Sequence, residues 1–93
     1  MTQRHESSVI LTKTNDENHV RNCYRLIQTI DIFHGIHIFS VFLTTTAYGI
    51  TDEEFVYDIA HEAIDANHFF RYICENQVTA STLLDVAKDF LSD

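Results

Sequence analysis

Proline is absent from these 93 residues, and glycine occurs only at Gly35 and Gly49. Nothing therefore reads as a linker, a repeat or a low-complexity spacer, and residues 1–93 read as a single domain. Two glycines also leave no material for a Gly-rich phosphate loop, and a deep pocket closed by a catalytic loop is hard to build from them. Long apolar runs are missing too: none approaches about 18 residues, so no membrane-spanning helix is expected. The opening segment MTQRHESSVILTKT has no apolar core and no small-residue cleavage site, so no signal peptide is expected and the cytoplasm is the expected location. Cysteine is scarce. Cys23 falls in a strand-like run and Cys74 on an apolar helical stripe, and both read as buried free thiols rather than a bridge. Basic residues are few, six against fourteen acids, for a net charge of −8. Contact with phosphate needs a basic stripe, so neither direct nucleic-acid binding nor docking on an anionic membrane is expected.

The charge that is present is unevenly placed. Residues 1–50 are neutral, with Glu6, Asp16, Glu17 and Asp31 balanced by Arg4, Lys13, Arg21 and Arg25. Residues 51–93 hold ten acids against Arg71 and Lys88. A neutral, β-branched and aromatic half is thus followed by an acidic half with helical spacing.

Residues 1–6 are polar and expected to fray. Ser8 to Lys13 reads as a strand, and the cluster Asn15-Asp16-Glu17-Asn18 as a turn. Val20 to Ile32 alternates, with Tyr24, Leu26, Gln28 and Ile30 on one side and Cys23, Arg25, Ile27 and Thr29 on the other. A turn at His34-Gly35 leads to Ile36–Thr46, a strand apolar on both sides, as a central strand is. Residues 51–60 carry two signals. Thr51-Asp52-Glu53-Glu54 is a capping box that predicts a helix start. Phe55-Val56-Tyr57-Asp58-Ile59 is rich in β-formers and predicts a fourth strand. From His61 to Glu75 the spacing is helical and ends at Asn76-Gln77. Thr79 is a candidate N-cap for a last helix over 80–91, striped by Leu83, Leu84, Val86, Ala87, Phe90 and Leu91. The expected fold is α+β: a small antiparallel sheet of about four strands over 8–59, then two α-helices over 61–91 packed on one face.

Four segments carry a resemblance: Tyr24-Arg25-Leu26-Ile27, Gly35-Ile36-His37-Ile38, Val56-Tyr57-Asp58-Ile59, and the run from Glu75-Asn76-Gln77-Val78-Thr79 through Leu83-Leu84-Asp85-Val86-Ala87-Lys88-Asp89-Phe90-Leu91. From about Ser8 onward the pattern is similar to a small uncharacterised Firmicutes family, a domain of unknown function. Its version of the last run resembles Glu-Asn-x-Val-Ser-Pro-x-His-Leu-x-Asp-Val-Val-x-Asp-Phe-Leu. Ala80 stands where the family tends to have Pro, and Thr82 where it tends to have His. The first change costs little, since Pro at that position only pre-sets the helix start; the second removes any role for that His. The resemblance implies a ββββαα order and tips 55–59 toward strand. It implies no activity.

Candidate chemistry is sparse. His61, Asp65 and His68 would share a helix face at i, i+4 and i+7 and could hold Zn²⁺ or Ni²⁺. No second element offers a fourth ligand, so the trio reads as a solvated stripe, and no metal or other cofactor is expected. His34 and His37 point to opposite faces of a strand. No nucleophile signature surrounds Cys23 or Cys74, and an enzyme is not expected. Asp52, Glu53, Glu54, Asp58, Glu62 and Asp65 form a dense acidic run that suits docking on a basic protein surface. Two helices can cover one sheet face, which leaves either Phe39, Val41 and Leu43 or Ile36, Ile38 and Phe42 exposed; the first set is taken as a partner or homodimer surface. The expected role is a small, acidic, non-enzymatic protein-interaction module. A concrete form is an inhibitor of a nucleic-acid-processing complex, such as an anti-CRISPR or another mobile-element accessory protein. The alternatives are a structural homodimer and a His/Asp metal-binding domain.

Overall fold

A computed structural model of the chain describes residues 5–91. Four strands come first: β1 (His5–Glu17), β2 (Val20–Asp31), β3 (Ile36–Ala47) and β4 (Ile50–Ala60). They form an antiparallel meander in sequential order, so β1 and β4 are the edges. Two helices follow, α1 (Ala63–Glu75) and α2 (Ala80–Leu91). This is the α+β arrangement expected from the sequence, and its extents of 45 × 33 × 18 Å are those of one sheet with one helical layer.

Tight turns hold the meander. Asn18 and His19 join β1 to β2, and Tyr48 and Gly49 join β3 to β4, all four at positive φ. Two-residue turns of that hand match the twist of the flanking strands. The β2–β3 loop is organised by Asp31. Its carboxylate accepts hydrogen bonds from the Phe33 and His34 amides at 3.0 and 3.3 Å and contacts His34 Nδ1 at 2.9 Å. The bonding to the His34 side chain is the main reason the Asp31 carboxyl titrates below its usual range. Gly35, at φ 67°, closes the loop with its amide on the Asp31 carbonyl.

Strand alternation sorts the side chains. Asn22, Tyr24 and Leu26 on β2 lie opposite Thr45, Leu43 and Val41 on β3. All six are buried, and the apolar ones join Phe69, Phe70, Ile73 and Cys74 of α1 and Ala80, Leu83 and Ala87 of α2 in one core. Both helices therefore sit on this face. Two buried polar contacts fix them there. The Tyr24 hydroxyl donates to the Val78 carbonyl at 2.8 Å. Thr45 Oγ1 donates to Asn22 Oδ1 at 2.7 Å and accepts from the Ala80 amide at 2.8 Å.

The structure departs from the sequence reading at several places. β1 is longer than Ser8–Lys13; residues 5 and 6, expected to fray, pair with Asp31 and Ile30, while residues 1–4 lie outside the described residues. Of the two readings of 51–60 the strand holds, as the expected four-strand sheet requires: Thr51, Asp52, Glu53 and Glu54 pair with Thr46, Thr45, Thr44 and Leu43. The outer edge of β3 offers a full ladder of backbone partners, and that outweighs a local capping signal worth about 1 kcal/mol. Phe39, Val41 and Leu43 are not an exposed partner or dimer surface. At 2%, 0% and 0% exposure they form the floor of the core, because the register turns them toward the helices. The sheet's other face carries Ile38 and Phe42. The first-turn amide of α2 is capped by Thr45 from the sheet, while Thr79 Oγ1 bonds the hydroxyls of Ser81 and Thr82.

Candidate interaction surfaces

Three regions present chemistry outward: the acidic margin along β4, the helix-free sheet face, and a groove under β1.

The acidic run is not one patch. β4 alternation splits the triplet, so Glu53 shares the helix-free face with Phe55 while Asp52 and Glu54 point to the helix side. All three are exposed or half-buried. Asp58 lies about 20 Å further along the strand from Asp52. It occupies a bulge at φ 61°, where its amide donates to Ser40 Oγ at 3.1 Å. Glu62 is the N-cap of α1 without a side-chain cap bond, and Asp65 lies in the first turn. The six acids therefore trace the outer margin of the molecule, from the β3–β4 turn to the start of α1. The unpaired edge of β4 runs beneath them. Acids on an edge strand also have a purely architectural use, since they discourage pairing with a foreign strand.

The proposed stripe of His61, Asp65 and His68 does not form. α1 starts at Ala63, which leaves His61 outside the helix. There its Nε2 contacts Asp58 Oδ1 at 2.8 Å. Asp65 and His68 remain on α1, beside Ile59, Ala60, Phe90 and Leu91. Among the described residues, no group of three or more His, Cys, Asp or Glu side chains is placed to hold a metal ion.

The groove lies between β1 and α1, has a volume of about 380 Å³ and is lined by Lys13, Phe70, Arg71, Cys74 and Glu75. Cys74 is free, and burial pushes its thiol up to about 11. The thiol stays protonated at neutral pH, which suppresses its nucleophilicity.

The helix-free face was the harder one to foresee. Here Phe42 lies opposite both Arg25 and Phe55, and the Arg25 guanidinium carbon sits 5.8 Å from the Phe42 ring centroid. Tyr57 stands beside Phe55 with centroids 6.3 Å apart. Val9 and Ile27 form the adjoining cross-strand pair. Phe55 and Tyr57 are 47% and 56% exposed, so large aromatic surface faces water. The signal was present in the two-sided pattern of β3, but nothing local to that strand says which side the helices take.

Comparison with known proteins gives no match to a family model, a curated protein or a solved structure. No helix among the described residues is long and apolar enough to cross a membrane.

Proposed function

We propose that the protein is a small non-catalytic interaction module whose acidic β4 margin docks on a basic surface of a nucleic-acid-processing complex and inhibits it. The observation that carries this reading is that edge strand β4 bears Asp52, Glu53, Glu54 and Asp58, with Glu62 and Asp65 following at the start of α1, in a chain with a net charge of −8. Such an edge offers a basic groove both carboxylates and unpaired backbone groups. Electrostatic complementarity of this sort speeds and selects encounter. The Cys74 thiol in the groove under β1, held protonated by burial, fits a non-catalytic role. A partner cleft that normally holds nucleic acid is the matching surface, because it is basic by necessity.

The test is titration of the protein into DNA-cleavage reactions of a panel of RNA-guided nucleases. Inhibition is expected for a susceptible member. It should weaken as salt rises from about 50 to 300 mM, where charges a Debye length apart are screened. It should also weaken in the variant carrying Asp52→Asn, Glu53→Gln and Glu54→Gln. Inhibition indifferent to both changes, or none across the panel, overturns the reading.

A further inference from the structure

We propose that two copies of this chain pack their helix-free sheet faces against each other about a two-fold axis, giving a helix–sheet–sheet–helix sandwich. This is independent of the acidic-edge reading, which concerns a different surface.

Three observations select a second copy as the occupant. The first is chemistry. Val9, Ile27, Ile38, Phe42, Phe55 and Tyr57 cluster on a face that no described helix covers. Apolar inner faces of two sheets interdigitate at about 10 Å separation. The second is charge. Between the cross-strand rows of Ser7 and Asp16, the face holds Asp16 and Glu53 against Arg21 and Arg25, and is neutral. Elsewhere two chains of net charge −8 would meet with like sign. This neutral face lets identical acidic molecules approach, and the Asp16–Arg21 pair at 2.9 Å neutralises one corner of its rim. The third is area. Four strands of about 12 residues, about 4.8 Å apart with a rise of about 3.3 Å, make a face of about 700 Å². Two such faces give about 1,400 Å², within the range of stable protein interfaces. Pairing of β4 edges is the less favourable alternative, since that edge is acidic and bulged at Asp58.

Cys23 gives a native reporter. It is half-buried on this face, opposite Thr14 and Thr44, whereas Cys74 is buried under α1. Solution mass by light scattering is measured over a concentration series, together with the rate of Cys23 alkylation by iodoacetamide. The expected result is twice the monomer mass, with alkylation slowed about tenfold once the concentration exceeds the dissociation constant by about a hundredfold. Phe55→Lys, checked for native circular dichroism, should be monomeric with unslowed alkylation. A monomer up to several hundred micromolar, where an interface of this size should be populated, overturns the proposal. A dimer whose Cys23 reacts at an unchanged rate also overturns it, because the copies then pair through another surface. A dimer that survives Phe55→Lys with native spectra overturns it as well. The Cys23 measurement uses the unmodified chain, so the test does not depend on any variant folding.

Discussion

Tyr24 shows how one side chain can tie a sheet to a helical turn. Its ring fills the centre of the core, and its hydroxyl donates to the Val78 carbonyl between the two helices. Burial pushes the hydroxyl up to about 12, with the nearby Cys74 thiol adding to the rise. Burial likewise holds Cys74 at about 11. Both groups are neutral when folded and ionise more easily when unfolded. The unfolded chain thus binds fewer protons at high pH, and stability falls as pH rises. The window opens near pH 9, where an unfolded thiol begins to ionise, and closes near pH 12. Each group contributes up to about 3 kcal/mol to this loss. Urea unfolding at pH 8, 10 and 11.5 should show the decline. Tyr24→Phe should be less stable at pH 8 by about 1–2 kcal/mol, because the Val78 carbonyl loses its partner. It should also show roughly half the alkaline loss. An unchanged pH slope in Tyr24→Phe would mean that Tyr24 ionises as freely when folded as when unfolded.

At the level of elements, the scarcity of glycine shapes the backbone. The two glycines take positive φ, and so do Asn18, His19, Tyr48, Asp58 and Gln77. Gln77 ends α1. Its amide bonds the Cys74 carbonyl, while the Val78 amide bonds the Ile73 carbonyl at 3.0 Å. That is a Schellman cap with glutamine where glycine is usual, closed by the Val78–Ile73 contact in the core. Gln77→Gly should raise stability by about 0.5–1 kcal/mol, and Gln77→Val should lower it by about 1–2 kcal/mol. Equal stabilities by chemical denaturation would show that the cap is not under strain. The sequence disclosed where this helix ends, from Asn76-Gln77, but not the cap geometry, which depends on Val78 finding the core. The same contrast holds elsewhere. The strands, the turn at Gly35 and both helices were legible because period-2 and period-3.6 patterns are local, whereas the polar cluster Asn15–Asn18 reads as a turn although Asn15, Asp16 and Glu17 pair within β1 and only Asn18 turns. The capping box at Thr51–Glu54 leaves 51–60 open between helix and strand on local signals, because the deciding partner, the outer edge of β3, lies outside that stretch. That Phe39, Val41 and Leu43 face the helices rather than a partner is illegible for a related reason. A strand apolar on both sides records that both faces are used, and only packing decides which one the helices take. His61, Asp65 and His68 do not share a helix face because α1 begins two residues later than the spacing predicts, and helix boundaries are the least legible feature of any sequence.

For the whole molecule, the governing fact is a charge of −8 spread over the margin and helices of a thin slab, around a neutral sheet face. The two proposed surfaces respond oppositely to salt. Docking through the β4 acids weakens as charges are screened, whereas association of the neutral faces tightens as repulsion between acidic bodies falls. The acids themselves do little to hold the fold, because no ion pair anchors Asp52, Glu53 or Glu54 among the described residues. Replacing them by Asn, Gln and Gln removes three of fourteen acids and relieves self-repulsion. The thermal midpoint should therefore stay within about 4 °C of the parent, a shift worth no more than about 1 kcal/mol for a domain of this size. The parent's midpoint should climb with added salt, and the variant's should climb less. What the variant loses is edge protection: β4 then offers bare Thr, Asn and Gln over unpaired backbone. Turbidity on heating should appear at lower temperature relative to the midpoint in the variant than in the parent. Calorimetry and light scattering on the same samples separate the two effects. A midpoint lower by more than about 8 °C would assign the triplet a structural role worth roughly 1–2 kcal/mol and would turn the loss of inhibition in that variant into a folding defect. An unchanged midpoint with lost inhibition leaves the acidic edge as the binding surface.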